Sequence, residues 1–276
     1  MEKIWAVIYY TFRESLARKT FITFFIISTI TLLFLLFAVN LDIVDGALVG
    51  ANIFGGEVRG GGRLNLEDLM LQVETALAGF IHVGGVFFAI FATASLVPNM
   101  LQKGNIDWLL SKPLARHWLL TGRALGAIAI VAFNVLYFVF GTWLIISMKT
   151  GVWHFEFLQS GFLIIFIFSI VYSFMVLLGV LIQNSAVSIM GAFVLIGLGS
   201  FLAGRDQIYA VLTNKFYQIL LDGLYYATPR LVEMGKLATE SILRQPSLDW
   251  SPIWHSLIVG VGYFALAIIA FKRKNF

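Results

Sequence analysis

Cysteine is absent from this chain, and charge is scarce: Asp, Glu, Lys and Arg make up only 12% of its 276 residues. Without cysteine there is no disulfide framework, no thiolate zinc site and no thiol nucleophile. A soluble protein of this size carries about 25% charged residues, because its whole surface meets water. Most of this surface must therefore face something else. The apolar runs hold no Asp, Glu, Lys or Arg near their middles, whereas ion-driven transporters use such groups to carry the coupling ion. An intramembrane enzyme needs clustered acids, bases or metal ligands. Here His82, His117, His154 and His255 are scattered, without partners at metal-ligand spacing. No Gly-x-x-x-x-Gly-Lys-Ser/Thr run exists, so this chain cannot itself hydrolyse ATP through such a loop. Anything it moves uphill must draw energy from outside the spans.

What is present is hydrophobic sequence, 59% of residues, with a mean hydropathy of +0.89. Six runs are long enough for about 20 helical residues each, the length that crosses a hydrocarbon core. They are Thr20–Val39, Leu77–Val97, Ala124–Met148, Phe162–Ile182, Ala186–Ala203 and Ile253–Phe271. The first follows a long charged flank and no small-residue cleavage site follows it, so it reads as a span rather than a signal peptide. The expectation is an all-α membrane protein with six transmembrane helices, an N-terminal interfacial helix and amphipathic outer helices before the last span. Residues 1–19 form the interfacial helix and 20–276 the transmembrane domain.

Orientation follows from the excess of Lys and Arg on cytoplasmic loops. With the N-terminus inside, the cytoplasmic segments hold Lys3, Arg13, Arg18, Lys19, Lys103, Lys112, Arg116, Arg123, Lys272, Arg273 and Lys274 against Glu2, Glu14 and Asp107. The remaining acids and fewer of the cations fall outside. Both termini are then cytoplasmic, in the cell (inner) membrane. The pI near 9.3 reports topology, not a nucleic-acid surface.

Ile4, Trp5, Ile8, Tyr9, Phe12 and Leu16 recur at helical spacing before the first span, with Glu14 and Arg18 paired at i, i+4. This helix either lies on the inner leaflet or extends the first span inward. Outer segment 40–74 contains Gly55, Gly56, Gly60, Gly61 and Gly62, a loop or small hairpin, then a helix start at Asn65 with Glu67 and Asp68. Outer segment 204–252 offers one amphipathic helix through Ile208, Val211, Leu212, Phe216, Ile219 and Leu220. Thr228 and Pro229 then supply an N-cap and first-turn proline for another helix through Leu237. Gln183–Asn184–Ser185 is a tight turn between the fourth and fifth spans. Asn134, Tyr137, Ser169, Tyr172, Ser173 and Ser188 read as helix–helix hydrogen-bonding groups.

The cytoplasmic loop 98–123 is the most informative piece. Gly104 frees the backbone, Ile106, Leu109 and Leu110 share one side of a short helix beside Trp108, and Pro113 stops it. Such a helix either presses into a partner's groove or lies on lipid. Gly104, Ile106, Leu109, Leu110, Ser111, Pro113 and Arg116, followed by Leu119, Leu120, Gly122, Arg123, Leu125 and Gly126, resemble a stretch of ABC-2-type transporter permeases, including the nitrous-oxide-reductase maturation permeases. Where that family carries an acid before the glycine this chain has Gln102, and Arg123 replaces its usual lysine.

The resemblance implies a permease subunit of an exporter, not an enzyme, assembled from two permeases and two separate P-loop ATPase subunits. The second permease is another copy or a paralogue. No cofactor is bound by this chain; ATP and Mg2+ belong to the ATPase. Lys103, Asp107, Lys112 and Arg116 would be rim contacts with that partner, and Trp108, Leu109 and Leu110 buried ones. The family places its permease dimer contact on the first, second and fifth spans, where Ser188, Gly191 and Ala192 permit close approach. Gly122 and Gly126 could serve packing within the subunit. A membrane enzyme acting on lipids and a non-transporting anchor or sensor subunit are the alternative functions.

Overall fold

The computed structural model describes residues 2–17, 19–44, 47–53, 56–58, 64–110, 115–211, 214–243 and 249–274; within them, the side chains of 2–4, 6, 15–17, 19–20, 38–44, 47–53, 56–58, 64–70, 108–110 and 210–211 lie outside the description. Twelve helices are found among the described residues. They are α1 (Glu2–Ala17), α2 (Lys19–Ala38), α3 (Leu66–Thr93), α4 (Leu96–Met100), α5 (Asn105–Leu110), α6 (Arg116–Thr150), α7 (Glu156–Ile182), α8 (Ser185–Leu202), α9 (Arg205–Val211), α10 (Lys215–Ala227), α11 (Leu231–Ile242) and α12 (Ser251–Arg273).

Five stretches of described helix are long and apolar enough to cross a membrane: Leu71–Met100, Arg116–Thr150, Glu156–Ile182, Ser185–Leu202 and Ser251–Arg273. Helix is the form such sequence must take, because hydrocarbon offers backbone N–H and C=O groups no partner outside their own segment. The chain is a multi-pass membrane protein. Its outward-facing side chains agree: Phe80, Val83, Phe162, Met190 and Ile258 are each well exposed. On a water-facing surface they would form an aggregating patch. Helix α2 has 20 residues, about 30 Å at 1.5 Å per residue, and contains the shorter apolar helix Phe21–Phe37.

Between α2 and α3 lies a small antiparallel sheet of β1 (Val39–Val44), β2 (Ala47–Ile53), β3 (Gly56–Val58) and β4 (Leu64–Asn65). Strand β2 pairs with each of the other three, and a register shift falls between Asp42 and Ile43 of β1. The helical class holds for the body of the chain, with this sheet as an addition. Gly56 stands in β3; Gly55, Gly60, Gly61 and Gly62 lie outside the described residues.

Helix α7 is the hub. It packs against α3, α6, α8, α11 and α12, and Phe157, Ile164, Phe168, Val171, Tyr172 and Val176 on it are almost wholly buried. Small residues let the neighbours approach. A Cβ on Gly260 of α12 would sit 3.2 Å from Ile170, and one on Gly126 of α6 only 2.7 Å from Thr11 of α1. Dispersion between closely packed backbones is what holds such bundles in lipid.

Segment 204–252 departs from expectation twice. The single amphipathic helix is two, α9 and α10, because Asn214 takes an extended conformation and accepts the Phe216 N–H at 3.0 Å, starting a new helix. Leu212 and Thr213 lie outside the described residues. Thr228 does not begin a helix: its hydroxyl donates back to the Leu224 carbonyl at 2.9 Å and closes α10. Helix α11 starts later, at Leu231, and runs past Leu237 to Ile242.

Candidate functional site

The connection from α3 to α6 is built from two short helices. Helix α3 ends at Thr93, one residue before the carbonyl that the ring of Pro98 would strike, and Pro98 lacks an N–H to continue the ladder. Helix α4 then buries Leu96, Val97, Pro98 and Met100. Gly104 takes a φ of +88°, a left-handed conformation that glycine adopts without steric cost, and directs the chain into α5. Asp107 Oδ2 accepts the Gly104 N–H at 3.2 Å, the N-terminal half of a capping box. The Asn105 amide donates to the Asn99 carbonyl at 3.0 Å, and the Gln102 amide to Asn99 Oδ1 at 3.5 Å. Neutral amides thus close this corner.

Ile106 is buried and anchors α5 to the body, while Lys103 and Asp107 are exposed. Trp108, Leu109 and Leu110 continue the helix, their side chains outside the description; Ser111, Lys112 and Pro113 lie outside the described residues altogether.

Arg116, expected at a partner's rim, turns toward the C-terminal tail of its own chain. Its Nη1 donates to the carbonyls of Lys274 at 2.7 Å and Lys272 at 3.5 Å. Lys274 Nζ donates in turn to Val180 at 2.8 Å and Leu181 at 3.3 Å. Those carbonyls end α7, where the helix leaves acceptors without partners and its dipole favours a cation. Desolvation against them lowers the Lys274 pKa from its ordinary value. Next to this clasp is the expected tight turn: Gln183 adopts φ +57°, and Asn184 caps α8 by accepting the Ala186 N–H at 2.8 Å. The tail, the start of α6 and the α7–α8 turn form one hydrogen-bonded unit.

Arg123 falls at the end of the loop read from sequence, yet the structure places it two turns inside α6 and only 4% exposed. Its Nη1 lies 2.5 Å from Glu14 Oε2 and donates to Thr11 Oγ1 at 3.5 Å; its Nε donates to the Leu96 carbonyl at 3.4 Å. The guanidinium also lies 5.8 Å from the Tyr10 ring centre. Glu14 therefore has a long-range partner; Arg18, its expected partner, lies outside the described residues. This node binds α1, α4 and α6 together, and α4 in turn packs against α5. From sequence, Arg123 reads as a cytoplasmic loop cation and as a stand-in for lysine, not as a buried ion-pair partner. The available signal was a cation two turns into an apolar helix, with small Gly122 and Gly126 beside it.

On α8, Ser188 and Ala192 are buried within this chain, and the Ser188 hydroxyl donates to the Asn184 carbonyl at 3.2 Å. A Cβ on Gly191 would meet Leu178 Cδ1 of α7. The uncovered face of α8 carries Met190, Val194, Leu198 and Phe201 instead.

On the side opposite α5, charged groups gather around Tyr225. Arg205 and Arg230 lie over its ring at 4.2 and 4.6 Å, and its hydroxyl donates to Glu233 at 2.9 Å. Burial and that bond push the hydroxyl pKa up. Asp222 accepts from Tyr209 at 3.1 Å and faces Arg205 at 3.6 Å. These contacts fasten α9, α10 and α11 to one another. Glu74 and His154, both almost fully buried, meet at 3.1 Å and tie α3 to the segment before α7. His255 Nε2 lies 3.2 Å from the Tyr226 carbonyl, and the His117 ring lies tilted against Trp118 with centroids 5.0 Å apart. Among the described residues no three His, Asp or Glu converge to hold a metal.

Comparison with models of known protein families and with curated proteins gives no match.

Proposed function

We propose that this chain is the permease subunit of an ATP-driven ABC-2-type exporter, working as a pair with two separate ATPase subunits. In this reading α2, α3 with α4, α6, α7, α8 and α12 are six spans of the cell membrane, with both termini cytoplasmic. Helix α1 lies on the inner leaflet, exposing Trp5, Tyr9 and Tyr10, and α10 rests on the outer leaflet through Phe216, Ile219 and Leu220. The observation that carries the proposal is α5. It is a two-turn helix presented beyond two long apolar helices, pinned by Ile106 and the Gly104–Asp107 cap and backed by the Arg123 node.

That construction suits a lever. Closure of two ATP-bound subunits pushes α5, and the push passes through α4 to α3 and through Arg123 to α1 and α6. A permease pair then rocks from inward-open to outward-open. Switching the populations decisively takes about 5 kcal/mol of preference of the nucleotide-bound state for one conformation. The uncovered apolar face of α8 supplies contact for the second permease.

The test is purification of the tagged chain from native membranes in mild detergent, with mass spectrometry of what accompanies it. A stoichiometric P-loop ATPase is expected with wild type. Trp108→Asp and Leu109→Asp should lose it while remaining monodisperse. Reproducible absence of the ATPase from wild type, or wild-type yield with both variants, overturns the assignment. Turnover of lipid by the purified chain alone would favour the membrane-enzyme reading.

A further inference from the structure

A cavity of about 400 Å³ opens between α3, α8 and α11, on the side of the molecule opposite α5. Ligand pockets begin at roughly 300 Å³. Two glycines keep it open. A Cβ on Gly79 would meet nothing within 4 Å, and one on Gly235 would only touch the His82 ring, at 3.6 Å.

Its lining divides by chemistry. Val83 and Ile196 give it an apolar wall, while His82, Ser200, Lys236 and Thr239 bring a cation, an imidazole and two hydroxyls to the same space. The His82 ring turns its Cε1–Nε2 edge toward Gly235, whereas its Nδ1 is buried away from the cavity. Lys236 is exposed on α11 and has no ion-pair partner among the described residues. The nearest carboxylate before it on α11, Glu233, is engaged by Tyr225 and Arg230. No carboxylate lines the cavity.

We infer that this cavity binds an anionic amphiphile, a lipid-like molecule whose net-negative head meets Lys236 beside the His82 ring while its apolar body lies along Val83 and Ile196. Charge complementarity selects the head, since an ammonium that is already paired could not do so. Its apolar wall comes from α3 and α8, two of the long apolar helices, so an occupant with an apolar body can reach it from lipid. That this occupant is the transported substrate rests on the exporter reading; the site itself rests on the cavity.

The test uses the purified permease chain without any ATPase, so it reads the site whether or not a transporter assembles. Native mass spectrometry compares retention of dioleoyl phosphatidylglycerol with that of dioleoyl phosphatidylcholine, which shares its tails. Wild type should prefer the anionic lipid by about tenfold, the scale of one charge-assisted contact. Lys236→Glu, on an exposed position, should abolish the preference, and Gly79→Phe should reduce retention of both lipids. Equal retention of the two lipids by wild type overturns the inference, as does an undiminished preference in Lys236→Glu. Competition by glycerol phosphate as strong as that by the intact lipid overturns the amphiphile part. Preference without a co-purifying ATPase upholds the site and removes only its transport role.

Discussion

Arg123 holds a permanent charge at a buried position, with Nε and Nη1 directed to partners on α4 and α1. Removing one member of a fully buried ion pair costs about 3–5 kcal/mol, because the other charge is stranded. Glu14 remains 23% exposed, so water would relieve part of that penalty. Arg123→Met is therefore expected to cost roughly 2 kcal/mol, below the range for a fully buried pair, seen as a lower unfolding midpoint in detergent. The double variant Glu14→Gln with Arg123→Met should recover part of the loss, since no charge is then left facing the gap. Arg123→Lys should be milder, keeping the Glu14 pair while losing the fork that reaches both Thr11 and Leu96. Additive losses in the double variant would show that the two side chains do not act as a pair.

Elements were legible where a local rule decides them and obscure where neighbours compete. Gly104 and the Gln183–Asn184–Ser185 turn were readable because one backbone conformation or one cap fixes each. Thr228 misled because the same hydroxyl can start a helix or close the previous one, and proximity to Leu224 decided it. The α9–α10 break was hidden by continuous apolar periodicity, which says nothing of Asn214 as a cap. Gly126 shows the limit of spacing: a Gly-x-x-x-Gly pair marks a close approach without naming the partner, here Thr11 of α1. Gly126→Leu should force α1 away from α6 at a cost of about 1–3 kcal/mol, the usual range for overpacking. It should also break the Glu14–Arg123 contact, so protease cleavage within α1 should accelerate. Gly262→Leu, where a Cβ meets nothing within 4 Å, is the matched control and should leave cleavage unchanged. Equal rates in the two variants would mean that α1 is not seated on Gly126.

At the scale of the whole molecule, hydropathy settles that the chain crosses the membrane repeatedly but not how many times or which way round. The assignment turns on α2, whose 20 mostly apolar residues lie between the helix α1 and the strand β1. If α2 spans, α1 and the β1–β4 sheet lie on opposite sides; if it lies flat, they share one. Loop charge argues for opposite sides, because Arg13 precedes α2 in a basic flank while Asp42, Asp45 and Glu57 follow it. The absence of native cysteine makes the question directly measurable, since any thiol introduced is the only one present. In intact cells, a membrane-impermeant maleimide should label Glu57→Cys and Asp206→Cys. It should leave Arg13→Cys, Lys103→Cys and Gln183→Cys untouched until the membrane is opened. Labelling of Arg13→Cys together with Glu57→Cys would reduce the chain to five crossings and put α1 outside. It would also remove the basis for a push from α5 through Arg123 to a helix resting on the inner leaflet, because α1 and α5 could not then share the Arg123 node in one folded chain.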